Sequence, residues 1–136
     1  MGRPDFQHLQ IYRLAEQLDD EIWQIVLTWE PVARSTVGIQ IIRSADSVGA
    51  NIAEGTGRVT YPDNRRFAGM ARGSLYETIH WLRRAFRRHL LDGQQVERVT
   101  ALTDELAPWL NAYLRSIGKR RVHPPCPEDP PPAIDN

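Results

Sequence analysis

Residues 37–58 constrain the fold most, because their order suits an amphipathic helix and little else. At roughly 100° per residue, their main apolar side chains fall on one narrow stripe. One edge of the stripe is polar and the other holds mostly small residues, so one flank suits hydrogen bonds and the other suits close helix approach. The stripe is Val37, Ile41, Ala45, Val48 and Ile52; the polar edge is Gln40, Ser44, Ser47, Asn51 and Glu54 with Arg43 at its margin; the other edge is Gly38, Ile42, Gly49 and Ala53.

The same periodicity recurs along the chain and predicts four helices, at about residues 6–28, 35–54, 60–91 and 95–117. Local signals predict where these helices begin and end. Asp5 is the predicted N-cap of the first helix, Thr60 and Asp63 have capping-box spacing at the third, and Pro31 breaks the chain between the first two. The predicted ends are Gly55 and Gly57 for the second helix, Asp92-Gly93 for the third and Gly118 for the fourth, with a bend at Pro108 on the solvent side.

Each of the other three helices also has one predicted buried face. The first face is Ile11, Leu14, Ala15, Leu18, Ile22, Ile25, Val26 and Trp29; the third is Phe67, Ala71, Leu75, Thr78, Ile79, Leu82, Ala85 and Phe86; the fourth is Val99, Leu102, Leu106, Trp109, Leu110, Tyr113 and Ile117.

These four stripes and their short connections predict an all-α fold, an antiparallel up-down-up-down four-helix bundle in one domain over residues 5–118. Residues 119–136 hold six of the ten prolines and few apolar residues, which predicts a disordered tail. A single cysteine, Cys126, excludes an internal disulfide. We expect a cytoplasmic protein, because the chain has no signal peptide and no apolar run near the ~18 residues that a membrane span requires.

Several residues of the second and third helices match one known pattern. The match is Gln40, Arg43, Ala45, Ser47, the segment 51–55, Arg58, Ala71, Gly73-Ser74 and Glu77. Over about residues 5–117 the chain resembles the bacterial four-helix-bundle proteins encoded within intervening sequences of 23S ribosomal RNA genes. Residues 36–39 depart from that pattern, which there has an aromatic residue and a leucine.

The resemblance implies an antiparallel four-helix bundle, assembly into a ring-like homopentamer and no known catalytic activity or cofactor. Related bundle proteins are accessory subunits of retroelement reverse transcriptases and bind nucleic acid, so a reverse transcriptase is a candidate partner. The structural signature that the resemblance implies is Gln40, Arg43, Ser47, Asn51, Glu54, Gly55, Gly73, Ser74 and Glu77.

Arginines occupy the face of the third helix that lies opposite its apolar stripe, within an arc of roughly 160°. Aromatic rings are interleaved with them, which suits phosphate contacts combined with base stacking. The candidate nucleic-acid-binding residues are Arg65, Arg66, Arg72, Tyr76, His80, Arg83, Arg84, Arg87 and Arg88. The alternative is a solvated helix face paired with nearby acids, for which Asp92, Glu97, Asp104 and Glu105 are available.

Two other constellations favour a structural interpretation. Glu77 and His80 have the spacing of a di-iron ligand pair, but the chain lacks the second such pair that a helix-bundle site needs. Ser47, Asn51 and Glu54 could form a small hydrolytic site, yet no His or Lys stands at a spacing that would activate the serine. We therefore expect no catalytic residues and no metal site.

Two glycines, Gly69 and Gly73, stand inside the third helix, where each costs about 1 kcal/mol relative to alanine. Close approach of a neighbouring helix would account for them, as a subunit contact or a groove that faces a ligand. The sequence thus predicts a non-enzymatic, oligomeric helical bundle that binds RNA, DNA or a nucleoprotein partner through its arginines. The alternative is an assembly or accessory module whose arginines contact subunits or partners without binding nucleic acid.

Overall fold

The computed structural model describes Phe6 and residues 9–117, and this part of the chain holds four helices and no strand. Helix α1 is Gln10–Leu27, α3 is Tyr61–Arg87 and α4 is Gly93–Ser116. Helix α2 has three successive segments: an α-helical turn Pro31–Ala33, a π-helical turn Arg34–Gly38 and an α-helix Ile39–Thr56. The all-helical prediction is confirmed. Asp5 and the tail from residue 118 onward lie outside the described residues.

The first two helices begin at places other than those predicted. Helix α1 begins at Gln10, four residues after the predicted Phe6, and its N-cap Leu9 supplies no side-chain hydrogen bond. Helix α2 begins at Pro31, which breaks the chain as predicted but also starts the next helix. Proline is tolerated there because its missing N–H would have no intrahelical partner at the first position.

Capping side chains begin α3 and α4. The Asp63 backbone N–H donates to Thr60 Oγ1 at 3.3 Å, so Thr60 is the N-cap that the sequence predicts. Asp92, predicted to end the third helix, instead caps the fourth. Its Oδ1 accepts from the Gln95 backbone N–H at 2.8 Å, and its own N–H donates to Gln95 Oε1 at 2.9 Å, a reciprocal capping box.

Helix α3 ends at Arg87, four residues before the predicted Leu91, because His89 adopts a left-handed conformation with φ of 60°. The His89 N–H donates to Phe86 O at 3.0 Å and the Leu90 N–H to Ala85 O at 2.9 Å. This pair of bonds is a Schellman motif, in which glycine normally holds the left-handed position. The sequence does not indicate this helix end, because a histidine stands where the usual signal is a glycine.

We expect the substitution His89→Gly to raise the free energy of unfolding by about 1 kcal/mol, because glycine adopts positive φ without a Cβ clash. Urea denaturation of wild type and variant measures the change. His89→Ala is the matched control, since it also removes the imidazole but keeps a Cβ, and should give no gain. Equal effects of the two substitutions would show that the imidazole, and not the backbone conformation, decides stability here.

The core lies between helices that contact one another in the order α1, α2, α3, α4 and back to α1. Most residues of the predicted faces are buried, including Phe67, Leu82 and Ile41. Phe86 is a wrong prediction, being 56% exposed. It borders an open groove of about 720 Å³ between the end of α3 and the start of α4, so no helix covers it. Ile79, Leu102, Trp109 and Tyr113 were also predicted to face inward and are partly buried.

Two polar residues pair inside the α2–α3 contact. Ser44 and Thr78 are both buried, and the Thr78 hydroxyl donates to Ser44 Oγ at 2.9 Å. Ser44 in turn donates to the Ile41 carbonyl oxygen at 3.1 Å. Each hydroxyl therefore has a partner, which removes the cost of burying it. The pair fixes the register in which α2 and α3 lie side by side.

Within residues 9–117, none of the helices combines the length and the apolar character that crossing a membrane would require.

Candidate nucleic-acid interface

Three arginines in the N-terminal half of α3 are held by intramolecular contacts. Arg65 donates to the Ile117 carbonyl oxygen from Nη2 at 2.6 Å and from Nε at 3.3 Å. Arg72 Nη1 donates to Asn111 Oδ1 at 3.3 Å. Both contacts tie α3 to α4. Arg66 lies over the Phe67 ring at 4.8 Å and forms a long, exposed ion pair with Asp63 at 3.8 Å.

The four arginines at the C-terminal end of α3 differ from these three. The side chains of Arg83, Arg84, Arg87 and Arg88 are exposed, and none forms an ion pair or hydrogen bond with any residue between 9 and 117. They are placed as adjacent pairs one helical turn apart, so their guanidinium groups form a compact cationic surface, here called the arginine cluster. Positive charge at a helix C-terminus is also favoured by the helix dipole.

The acids that could have neutralised the arginine cluster do not do so. No ion pair joins the cluster to Asp92, Glu97, Asp104 or Glu105 in the described part of the chain. Asp104 lines the apolar groove together with Arg83 and Arg87, but without reaching ion-pair distance. The arginine of α4 that does form an ion pair is Arg98, which bonds to Glu21 of α1.

The aromatic candidates lie on the same helix. Tyr76 is half exposed. His80 is exposed, and its ring forms an edge-to-face pair with the Trp81 ring, with 4.8 Å between the two ring centroids. Trp81 was not predicted as a site residue. Its indole N–H donates to Glu77 Oε2 at 3.3 Å, one helical turn earlier. The four-residue spacing of Glu77 and Trp81 is the sequence signal for this hydrogen bond, because residues four apart on a helix are neighbours.

The polar edge of α2 bonds mainly to its own helix. Ser47 Oγ donates to the Arg43 carbonyl oxygen at 2.8 Å, and Asn51 Nδ2 donates to the Ser47 carbonyl oxygen at 2.9 Å. Glu54 forms an ion pair with Arg58 at 2.7 Å. The Ser47 proton is thus directed to a backbone carbonyl and not to a base.

Among the remaining signature residues, one glycine is buried and the others are exposed or partly buried. Gly55 is buried where α2 meets the start of α3. Gln40, Gly73 and Glu77 are exposed, and Ser74 is partly buried with its carbonyl oxygen 2.8 Å from the Thr78 hydroxyl. In residues 9–117, no group of three or more His, Cys, Asp or Glu side chains is arranged to hold a metal ion.

The side of the molecule formed by α1 and α2 is acidic. Partial burial, a hydrogen bond to Asp46 and the negative charges of Asp46, Asp20 and Glu16 raise the pKa of Asp19 to about 7. The carboxyl group of Asp19 therefore keeps its proton to a higher pH than an ordinary aspartate does. Negative charge therefore lies on the α1–α2 side, and positive charge lies on the arginine cluster of α3.

We expect the contribution of Asp19 to the free energy of unfolding to fall as the pH rises from about 4 to about 7. The pKa of Asp19 is raised in the folded state, so the folded protein binds more protons than the unfolded chain, and this contribution is lost as the pH passes the folded value. Urea denaturation across a pH series measures the trend. Asp19→Asn should flatten it, and an equally steep decline in that variant would contradict the raised pKa of Asp19.

The geometry defines a class of protein: a small all-helical protein with an unpaired cationic cluster at one helix end. A family model described as 23S rRNA-intervening sequence protein matches residues 7–112, and the chain belongs to this family. The match covers all of α1, α2 and α3 and most of α4. A comparison with curated proteins finds no match.

Proposed function

We propose that the protein is a non-enzymatic, oligomeric helical bundle that binds RNA, or a nucleoprotein partner, through the arginine cluster. The observation that carries the proposal is that these four side chains are exposed and have no hydrogen-bond or ion-pair partner among residues 9–117. Arginine makes forked contacts with phosphate oxygens, and adjacent pairs one turn apart can follow a phosphate backbone. We take RNA as the first polyanion to test, because the family description refers to an intervening sequence of 23S rRNA. An RNA partner is consistent with a cytoplasmic protein.

The proposed topology is an antiparallel up-down-up-down bundle. Trp29 Nε1 donates to the Leu90 carbonyl oxygen at 2.9 Å, which supports placing the α1–α2 and α3–α4 connections at the same end. At the other end, Asn64 near the start of α3 bonds to Tyr113 near the end of α4, with 3.4 Å between Nδ2 and the hydroxyl oxygen. These contacts are those expected of antiparallel neighbours joined by short loops.

The proposed assembly is a homopentamer, with α3 as one contributor to the subunit contact. A Cβ added at Gly69 or Gly73 would meet no atom within 4 Å, so nothing inside the described chain explains their cost to the helix. Met70 and Tyr76, which are close to half exposed, lie on the same helix. A second subunit packed on these residues would account for both observations.

Light scattering tests the assembly, and we expect a mass about five times the 15.6 kDa of one chain. The substitution Gly73→Tyr should dissociate the oligomer while leaving the helical content unchanged, because the position has free space in the monomer. A stable wild-type monomer at micromolar concentration would contradict the proposal, as would a Gly73→Tyr variant that assembles like wild type.

Fluorescence anisotropy with structured RNA, single-stranded RNA and duplex DNA tests nucleic-acid binding. Neutralising about four phosphates of a single strand should give a salt slope near −3, so affinity should fall roughly 50-fold between 50 and 200 mM salt. The absence of binding at low salt would refute this function. Isolation of the protein from its host, with identification of bound RNA and protein, would name the partner.

The second candidate is an assembly or accessory module, for example for a reverse transcriptase, that does not bind nucleic acid itself. The acidic α1–α2 side favours it, because the arginine cluster of one copy could pair with the carboxylates of another. In that case, reversing the arginine charges would dissociate the oligomer, and wild type would bind no RNA at low salt.

A further inference from the structure

A surface pocket of about 620 Å³ lies between the first part of α2 and the last part of α3. Ile39, Gln40 and Arg43 line it from α2, and Trp81 and Arg88 line it from α3. Four of these five residues played no part in the nucleic-acid site predicted from the sequence. Arg88 belongs to the arginine cluster, so the pocket opens beside the surface already proposed to hold RNA.

One wall of the pocket is formed by Ser35, Thr36 and Val37, the middle residues of the π-helical turn. Gly38 permits this turn to press against α1, where an added Cβ would lie 2.9 Å from Val26 Cγ1. The hydroxyl groups on the wall already have partners: Ser35 and Thr36 both donate to the Val32 carbonyl oxygen, at 3.3 and 2.7 Å. The free polar groups of the pocket therefore belong to Gln40, Arg43 and Arg88.

Arg43 and Arg88 bring two positive charges to one pocket from two different helices. Both side chains are exposed, and neither has a hydrogen bond or ion pair with another described residue. No carboxylate is among the residues that line the pocket. Two guanidinium groups without a counter-charge suit an anion with several oxygen atoms, and forked arginine contacts match phosphate geometry.

Trp81 supplies the second chemical component, an aromatic ring beside the two cations. The ring is partly buried against the core, its indole N–H donates to Glu77 Oε2 at 3.3 Å, and 4.8 Å separates its centroid from that of the His80 ring. These contacts restrain the ring before a ligand arrives. Bases stack on such rings when they are unpaired, whereas a base inside a duplex has no free face. The Gln40 side-chain amide adds a donor and an acceptor that can reach a base edge or ribose.

We propose that this pocket binds one unpaired nucleotide, with its base against Trp81 and its phosphate between Arg43 and Arg88. The proposal rests on the proposed RNA-binding function and adds single-stranded or bulged RNA as the preferred form. The arginine cluster holds the phosphates of the adjoining strand, and the pocket selects the point at which that strand is unpaired.

Indole NMR signals test the pocket without RNA. The chain has four tryptophans, of which Trp29 is buried and already donates to the Leu90 carbonyl oxygen. On addition of AMP, the Trp81 indole N–H signal should shift with saturation while the Trp29 signal stays. Adenosine and inorganic phosphate should each bind more weakly than AMP. An unmoved Trp81 signal at about 10 mM AMP, or an equal response to phosphate alone, would overturn the proposal.

RNA titrations separate this proposal from the general function. Trp81→Leu should weaken single-stranded RNA binding roughly 5- to 100-fold and leave duplex RNA binding unchanged. Trp23→Leu, at a half-exposed tryptophan of α1 outside the pocket, is the matched control and should have no effect. Circular dichroism verifies that both variants are folded.

Two failures are distinguishable. If wild type binds no RNA at low salt, the proposed function fails, and the AMP titration still tests whether the pocket binds a nucleotide. If RNA binds through the arginine cluster but Trp81→Leu does not change the ratio of single-stranded to duplex affinity, the pocket proposal fails and the general function stands.

Discussion

Reversal of the arginine cluster, with all four residues changed to glutamate, should reduce RNA affinity by more than about 100-fold. Each reversal removes a phosphate contact and adds a repulsive charge, and phosphate contacts supply most of the affinity of a surface that reads little sequence. The fold should survive, because all four side chains are exposed and no described residue depends on them for a hydrogen bond or ion pair. Anisotropy at low salt gives the affinity, and circular dichroism gives the helical content.

A charge-matched control excludes a general effect of net charge. Arg13, Arg34 and Arg115 are exposed arginines outside α3, and their triple reversal to glutamate is compared with triple reversal of Arg83, Arg84 and Arg87. We expect the control to retain affinity within a few-fold and the α3 variant to lose most of it. Equal losses in the two triple variants would mean that the α3 cluster is not the binding surface.

Substitution of Gly55 should have the largest effect on folding among the glycines. An added Cβ would lie 2.6 Å from Asn64 Oδ1, 3.0 Å from Phe67 Cβ and 3.2 Å from the Asn64 carbonyl oxygen. Overpacking of this kind costs about 1–3 kcal/mol, and two of the three atoms belong to the backbone or its first side-chain carbon and cannot rotate away. We expect Gly55→Ala to lower the free energy of unfolding by about 2 kcal/mol, and Gly55→Val by more.

With both substitutions made in the monomeric Gly73→Tyr variant, Gly69→Ala is the matched control, because it is the same substitution inside a helix but with free space around the new methyl group. Helix propensity should then raise the free energy of unfolding by about 1 kcal/mol. Urea denaturation at one protein concentration compares the two variants. A gain at Gly55 similar to that at Gly69 would show that α2 and α3 separate easily where they meet.

The candidate site was predictable only in part. Helical periodicity predicted the arginine face. The sequence did not indicate which of its arginines have partners within the chain, because Arg65 and Arg72 donate to residues at α4, about 40–50 positions further along. Trp81 was not predicted as a site residue, because its proposed role depends on Arg43, which α2 brings into the same pocket. Both failures concern contacts between residues distant in sequence.

The sequence by itself determined the four helices and the cap at Thr60, because helical periodicity and capping bonds join residues only a few positions apart. Only the tertiary structure decided which arginines of α3 have partners in the chain, the pocket shared by Arg43 and Trp81, and the exposure of Phe86. Each of these depends on where a second helix lies, which local hydrogen bonds and residue periodicity do not specify.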